Sequence, residues 1–252
     1  MSSAAYIRFE LLRTFRNRRF FLLSFGFPLV LYFLIAGPNR HVHNLGKSGI
    51  SAPLYYMVGL AAFGSMNAML ATGARIAAER QVGWNRQLRT TPLSTRTYFR
   101  AKVLTAYLVA IGALLLLALA SLLLLFVAGS TFGVRLPAHE WVHMTYLMLI
   151  ALVPFGAMGV LIGLLVSSDS IGPVMGGSTA LFAFLGGTWF PITGGGVLHG
   201  IAEDLPSFWL VQASHVSLGG SGWSARAWIV LVAWTAAAVA VAARAYRRDT
   251  AR

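Results

Sequence analysis

The chain has 252 residues, of which 57% are hydrophobic and 11% charged, and its formal net charge is +13. Such a small charged fraction excludes an ordinary soluble domain, in which about a quarter of the residues are charged. The sequence contains no cysteine, which excludes disulfides and thiolate metal sites. In so apolar a chain the positive charge indicates membrane topology and attraction to anionic lipid rather than nucleic-acid binding.

Six apolar stretches approach or exceed the length of about 20 residues that a helix needs to cross a bilayer. They predict an all-α integral membrane protein whose transmembrane helices lie at residues 20–37, 53–77, 103–128, 141–166, 171–189 and 227–243. The loops are too short to hold a second domain, so residues 1–252 are expected to form a single transmembrane domain.

The basic residues define an orientation. Sixteen of the 20 Lys and Arg residues lie before the first span, from the end of the second span to the start of the third, or after the sixth, and the others are Arg40, Lys47, Arg135 and Arg226. An excess of Lys and Arg in short loops marks the cytoplasmic side. Both termini and the loop between the second and third spans are therefore predicted to be cytoplasmic.

Two further segments are expected to lie at the membrane surfaces. Residues 1–19 place Tyr6, Phe9 and Leu12 or Arg13 at helical spacing, which predicts an amphipathic helix in the inner interface. Residues 190–226 are rich in glycine yet partly apolar, unlike a solvated loop. This composition predicts an outer hairpin that re-enters the membrane where protein covers its backbone.

Small residues recur within the fourth and fifth spans. Gly159 and Gly163, and likewise Gly172 and Gly176, are separated by three residues, a spacing that lets helix backbones approach closely. We expect packing within the chain rather than a dimer contact. No span carries an ionisable residue near its centre, which argues against a secondary carrier, since carriers usually hold charged groups at depth.

The cytoplasmic loop after the second span carries a recognisable motif. Glu79 ends the span, Gly83 follows four residues later, and Leu88 precedes Thr91-Pro92-Leu93-Ser94 and the basic Lys102. Residues 79–89 can form a short helix in which Trp84 and Leu88 make an apolar ridge. Thr90 or Thr91 ends it, because the following proline disfavours helical geometry.

This motif and the six-span topology resemble the type-2 ABC exporter permeases, the group of drug, polysaccharide and lipid exporters. The resemblance implies a bacterial inner-membrane subunit that pairs with a second permease copy, as a homodimer or heterodimer, and with a separate ATP-binding subunit. ATP and Mg²⁺ would be bound by that partner, and this chain would bind no cofactor. The implied coupling segment, residues 79–91 and the proline after them, includes Glu79, Arg80, Gly83, Trp84, Arg86, Leu88, Arg89 and Pro92.

The resemblance also implies a substrate path between two permease copies. Its candidate lining residues are Phe63, Met66, Asn67, Leu70, Phe182, Trp189 and Phe190. Aromatic and methionine side chains suit bulky apolar compounds. Because no cationic residue lies at depth, the sequence favours a hydrophobic drug-like or lipid-like substrate over a charged polysaccharide.

One motif supports a different function. His139-Glu140-x-x-His143 matches the zinc-binding pattern of metalloproteases, in which two histidines bind the metal and the glutamate is the general base. A third ligand is required, and only His199, Glu203 or Asp204 could supply it. We expect instead that this motif forms the polar outer end of the fourth span and binds no metal. The membrane metalloprotease stays an alternative.

Overall fold

The computed structural model describes residues 26–81, 132, 134–220 and 222–251, and this part of the chain is helical, with no strand. Two 3-10 turns occupy Leu45–Lys47 and Ala213–Leu218. The α-helices are α1 (Phe27–Ala36), α2 (Ala52–Leu70), α3 (Thr72–Gln81), α4 (Ala138–Ala151), α5 (Val153–Leu165), α6 (Ile171–Leu185), α7 (Val197–Glu203), α8 (Pro206–Gln212) and α9 (Ala225–Ala251).

The helices occupy the described parts of five predicted spans. Two are long and apolar enough to cross a membrane by themselves, namely Ala138–Leu165, which comprises α4 and α5, and Ala225–Ala245 within α9. The predicted third span at 103–128 and the interfacial helix at 1–19 lie outside the described residues. The described part of the chain is thus helical and includes two stretches long and apolar enough to span a membrane, and the number of six spans stays a prediction.

The helix formed by α4 and α5 is interrupted at Leu152. Pro154 explains the interruption, because proline has no N–H to donate to the carbonyl of Ile150, four residues earlier. The flanking bonds persist, with Leu152 donating to Met148 at 3.1 Å and Gly156 to Leu152 at 3.2 Å. The proline therefore interrupts the ladder locally and leaves the two halves joined.

Glycine brings α3 and α5 into backbone contact. A methyl group added at Gly73 would lie 2.5 Å from the carbonyl oxygen of Gly159, and one added at Gly163 would lie 2.6 Å from that of Gly73. At Gly159 it would lie 2.6 Å from the carbonyl oxygen of Met69. The first small-residue pair of the sequence therefore packs within the chain, as expected.

The second pair behaves differently. Methyl groups added at Gly172, Gly176 and Gly177 of α6 would meet no described atom within 4 Å. The expectation of packing within the chain thus finds no support here among the described residues. Within the part of the chain that the structure describes, this glycine-rich face of α6 is open.

The core is built around α2, whose residues are buried except for Tyr56, Phe63 and Asn67. In contrast, α9 lies at the periphery and exposes Trp228, Ile229 and Val232. Hydrocarbon chains are as apolar as these side chains, so such a face can contact lipid without cost.

The predicted outer hairpin contains α7, α8 and the 3-10 turn at Ala213–Leu218. All residues of α8 from Pro206 to Val211 are buried, and α8 contacts α2, α4, α6 and α9. Protein therefore covers this short backbone segment, which is the condition for placing a non-spanning segment at membrane depth.

The close approach of Gly159 to α2 predicts that a methyl group added at this position lowers the stability of the protein. Gly159→Ala places a methyl group against the backbone of α2, and such overpacking costs about 1–3 kcal/mol. The matched control Gly177→Ala adds the same methyl group at an open helical position and should leave stability unchanged or slightly higher. Thermal unfolding of the detergent-solubilised proteins, followed by circular dichroism, measures both. Equal midpoints for the two variants would contradict the backbone contact.

Candidate functional site

The partly exposed residues of α2 form one stripe. Tyr56, Phe63 and Asn67 are spaced seven and four residues apart, which places them on the same face of a helix. All other residues of α2 are buried. Through this stripe the central helix reaches the surface of the described bundle.

Phe63 on this stripe joins an aromatic row that crosses three elements. Its ring centroid lies 6.5 Å from that of Phe27 in α1 and 5.6 Å from that of Trp189, just after α6. These distances are typical of favourable aromatic pairs. We refer to Phe27, Phe63 and Trp189 as the aromatic row.

The turn that carries Trp189 is fixed against α2 by two contacts. The buried hydroxyl of Tyr55 donates a hydrogen bond to the carbonyl of Gly187. At Gly59 the backbones approach so closely that an added methyl group would lie 2.5 Å from the carbonyl oxygen of Thr188. Gly187 itself has φ of +77°, a conformation that favours glycine.

The exposed surface continues from the aromatic row along α6. Phe190 and Phe184 pack edge to face, with their ring centroids 5.1 Å apart, and both are exposed. Leu181 is 58% exposed on the same helix, which also carries the open glycine face. The result is an apolar, aromatic surface without ionisable side chains among the residues named.

The other predicted path residues lie elsewhere. Met66 and Leu70 are fully buried in the core of α2. The ring of Phe182 packs against Phe155 of α5 at 5.3 Å and Trp234 of α9 at 5.8 Å. Met66 and Leu70 are confined to the core, whereas Phe63, Asn67, Phe182 and Trp189 are half-buried and Phe190 is exposed. Their role in a substrate path stays a prediction.

Sequence reasoning missed Phe27 and Tyr55. Phe27 lies in a uniformly apolar segment where no pattern distinguishes the exposed side. Tyr55 donates its hydrogen bond to the carbonyl of Gly187, which lies 132 residues later in the sequence. The sequence offered one usable signal, since the glycines at 186 and 187 indicate a tight turn next to Trp189.

Most of the predicted coupling residues lie outside the part of the chain that the structure describes. Glu79 and Arg80 lie near the end of α3, which ends at Gln81. Gly83, Trp84, Arg86, Leu88, Arg89 and Pro92 lie outside the described residues. The structure describes α3, the helix that leads into this segment, and α3 packs on α5 through Gly73.

The histidine motif lies at the start of α4, where His139 is exposed and His143 half-buried. The candidates for a third ligand are engaged with one another and with Arg226, which pairs with both Glu203 and Asp204, while His199 lies 3.4 Å from Glu203. Within 26–81, 134–220 and 222–251 no three His, Asp or Glu side chains form a group that could hold a metal ion.

Comparison with known proteins identifies the family of this chain. Residues 3–218 match the family model described as ABC-2 type transporter. The chain belongs to the ABC-2 type transporter family. It is also similar to the protein named "Putative transport permease YvfS" of Bacillus subtilis (strain 168), with 26% identity over 203 residues, covering 79% of this chain and 78% of the relative.

Family membership confirms the resemblance seen in the coupling motif and identifies the chain as a membrane transport permease. It also implies association with an ABC ATP-binding subunit. For this ABC-2 permease a transport role is thus supported over proteolysis, and the apolar surface around the aromatic row is its candidate functional site.

The Tyr55 hydrogen bond generates a second prediction. Tyr55→Phe removes the donor to the buried Gly187 carbonyl, and an unsatisfied buried polar group costs about 1–3 kcal/mol. Tyr56→Phe is the matched control, because it removes the same atom from the neighbouring half-buried ring. Chemical unfolding of each purified variant in detergent reports the difference. Equal losses in both variants would show that the Tyr55 contact does not hold the turn.

Proposed function

We propose that this ABC-2 permease is the membrane subunit of an ATP-driven exporter that moves a hydrophobic drug-like or lipid-like compound outward. The observation that carries the proposal is the aromatic row, Phe27, Phe63 and Trp189, on the surface of a chain assigned to a transporter family. Its rings offer broad apolar contact and make few polar demands on a ligand.

The substrate path lies along the aromatic row and between two copies of the permease. The open glycine face of α6 supports this arrangement, because Gly172 and Gly176 leave room for close approach of another helix backbone. Exposed Leu181 and Phe184 extend the same helix surface. A second copy placed against α6 would enclose the aromatic row between the two subunits.

ATP is hydrolysed by the partner subunit, which docks on the segment at 79–91. The structure supports a mechanical route from that segment into the bundle. The glycine contact between α3 and α5 permits little independent movement of the two backbones, so a displacement at the end of α3 reaches α5. In this proposal ATP and Mg²⁺ reside on the partner, and the permease supplies the path.

The distribution of basic residues supports a location in the bacterial inner membrane as a multi-pass protein with both termini cytoplasmic. In this orientation α3 and Arg244 of α9 face the cytoplasm, while α7 and α8 lie at the outer side. An export direction fits the outer position of Trp189 and Phe190. Drug efflux and antibiotic resistance are the physiological roles this chemistry would serve.

Coupling is tested at the end of α3. Glu79→Gln and Gly83→Leu should each reduce substrate-stimulated ATP hydrolysis in the reconstituted complex, because they alter the docking segment without touching the aromatic row. Glu140→Gln is the matched control, since it makes the same chemical change at the opposite membrane surface. If both test variants hydrolyse ATP and export like the unmodified protein, the docking assignment is wrong.

The path is tested at Trp189. Trp189→Ala should lower the efflux of the hydrophobic dye Hoechst 33342 from inverted vesicles by roughly tenfold, because an aromatic contact is worth about 1.4 kcal/mol. Trp228→Ala truncates another exposed indole, on the peripheral face of α9, and should leave efflux unchanged. Equal efflux by the two variants would exclude Trp189 from the path.

A further inference from the structure

A single arginine joins the outer hairpin to the start of α9. The guanidinium of Arg226 donates to Asp204 at 2.7 and 3.2 Å, to Glu203 at 2.5 Å and to the carbonyl of Gly200 at 3.4 Å. These partners lie at the end of α7 and in the bend that follows it. We call residues 203–205 the elbow of the hairpin.

Tryptophan indoles hold the same elbow from two other sides. Trp234 of α9 donates to the carbonyl of Asp204 at 2.8 Å, and Trp209 of α8 donates to that of Glu203 at 2.8 Å. The last carbonyls of a helix have no partner within it. Side chains of α8 and α9 therefore satisfy the carbonyls at the end of α7.

These contacts place the elbow against the first half of α9. The segment before α7 is tied to the loop between α1 and α2, since Thr193 donates to the carbonyl of Gly46 at 2.9 Å. At the other end, Trp234 lies near the middle of the apolar stretch Ala225–Ala245, about 12 Å along the axis from Arg226. Going from Thr193 to the elbow, the chain passes from the loop towards the middle of α9.

The elbow leads directly to the candidate functional site. It is followed by α8, whose Ser207 packs so closely on Gly186 that an added methyl group would lie 2.6 Å from the serine Oγ. Gly186 begins the turn that carries Trp189. A continuous path of contacts thus connects Arg226, through the elbow and α8, with the aromatic row.

We infer that Arg226 is a positioning residue for transport. By pairing with Glu203 and Asp204 it keeps the elbow against α9 and thereby fixes α8 and the Trp189 turn at the outer end of the path. This inference rests on the proposed function for its link to export. The positioning itself is a property of the folded chain alone.

The physical reason lies in the two adjacent carboxylates. A single exposed ion pair contributes little, but one guanidinium that bridges two carboxylates and a carbonyl forms a network of charge-assisted bonds. Without Arg226, two neighbouring negative charges would be left beside the apolar stretch of α9. Because like charges repel, the elbow would move away from α9.

The absence of native cysteine allows a direct measurement. Spin labels at Leu198→Cys on α7 and Ile229→Cys on α9 occupy exposed positions and report the distance between the hairpin and α9. A second pair, Val142→Cys on α4 with Ile229→Cys, reports the bundle itself. Pulsed electron resonance of the protein in lipid nanodiscs gives both distance distributions.

Arg226→Ala should abolish the narrow hairpin distance and leave the bundle distance intact. The charge exchange Arg226→Asp with Asp204→Arg should restore it, and Arg135→Ala, an exposed cation before α4, should have no effect. An unchanged hairpin distance in Arg226→Ala, or a failed restoration with an intact bundle, overturns the inference.

Salt provides a test that needs no charge variant. The side chains are 44% exposed at Arg226 and 66% at Asp204, so ions can reach the pair. At about 1 M salt the screening length falls to about 3 Å, and the hairpin distance should broaden while the bundle distance stays narrow. A hairpin distance that is insensitive to salt contradicts an electrostatic role for Arg226.

Efflux of Hoechst 33342 separates this inference from the proposed function. If Arg226 positions the path, Arg226→Ala should lose efflux and the charge exchange should recover it together with the distance. Efflux unaltered in Arg226→Ala despite a displaced hairpin overturns the link to transport. If the unmodified complex moves no dye although the distances respond as expected, the proposed substrate class fails and the positioning stands.

Discussion

The described bundle depends on a close contact between glycine residues, which have no side chain. At Gly73, Gly159 and Gly163 the backbones of α3 and α5 approach so closely that no methyl group fits between them. This contact fixes the C-terminal half of the second predicted span to the fourth. Hydrocarbon offers no hydrophobic force to bring helices together, so close backbone packing supplies the association. The segment proposed to meet the ATP-binding subunit therefore begins on a rigid support.

The turn before Trp189 and the hairpin formed by α7 and α8 are stabilised by polar contacts. The hydroxyl of Tyr55 holds the turn before Trp189, and two indoles with Arg226 hold the elbow at 203–205. Each contact satisfies a backbone carbonyl or a carboxylate that would be costly to leave unpaired near lipid. Close packing thus holds α3 against α5, whereas hydrogen bonds and ion pairs hold the turn before Trp189 and the elbow. The aromatic row lies next to that turn.

Apolar runs bounded by polar residues predicted helices, and the described residues within these runs are largely helical. The sequence predicted less about which face each helix buries. Phe63 and Asn67 reach the surface while Met66 and Leu70 lie in the core. Hydrophobicity does not distinguish the two faces of such a helix, because protein-facing and lipid-facing positions are both largely apolar. The two glycine pairs show the same difficulty, since identical spacing serves a tight contact in α5 and an open face in α6. The contacts of Arg226 depend on the tertiary fold and left no local signal.

The elbow also bears on how the protein is made. Synthesis proceeds from the N-terminus, so Gly200, Glu203 and Asp204 leave the ribosome before Arg226 and Trp234, the α9 residues that satisfy them. Until α9 emerges, the carboxylates of Glu203 and Asp204 and the carbonyls of Gly200 and Asp204 lack the partners that they have in the folded chain. We therefore expect the hairpin to dock only after α9 has been made.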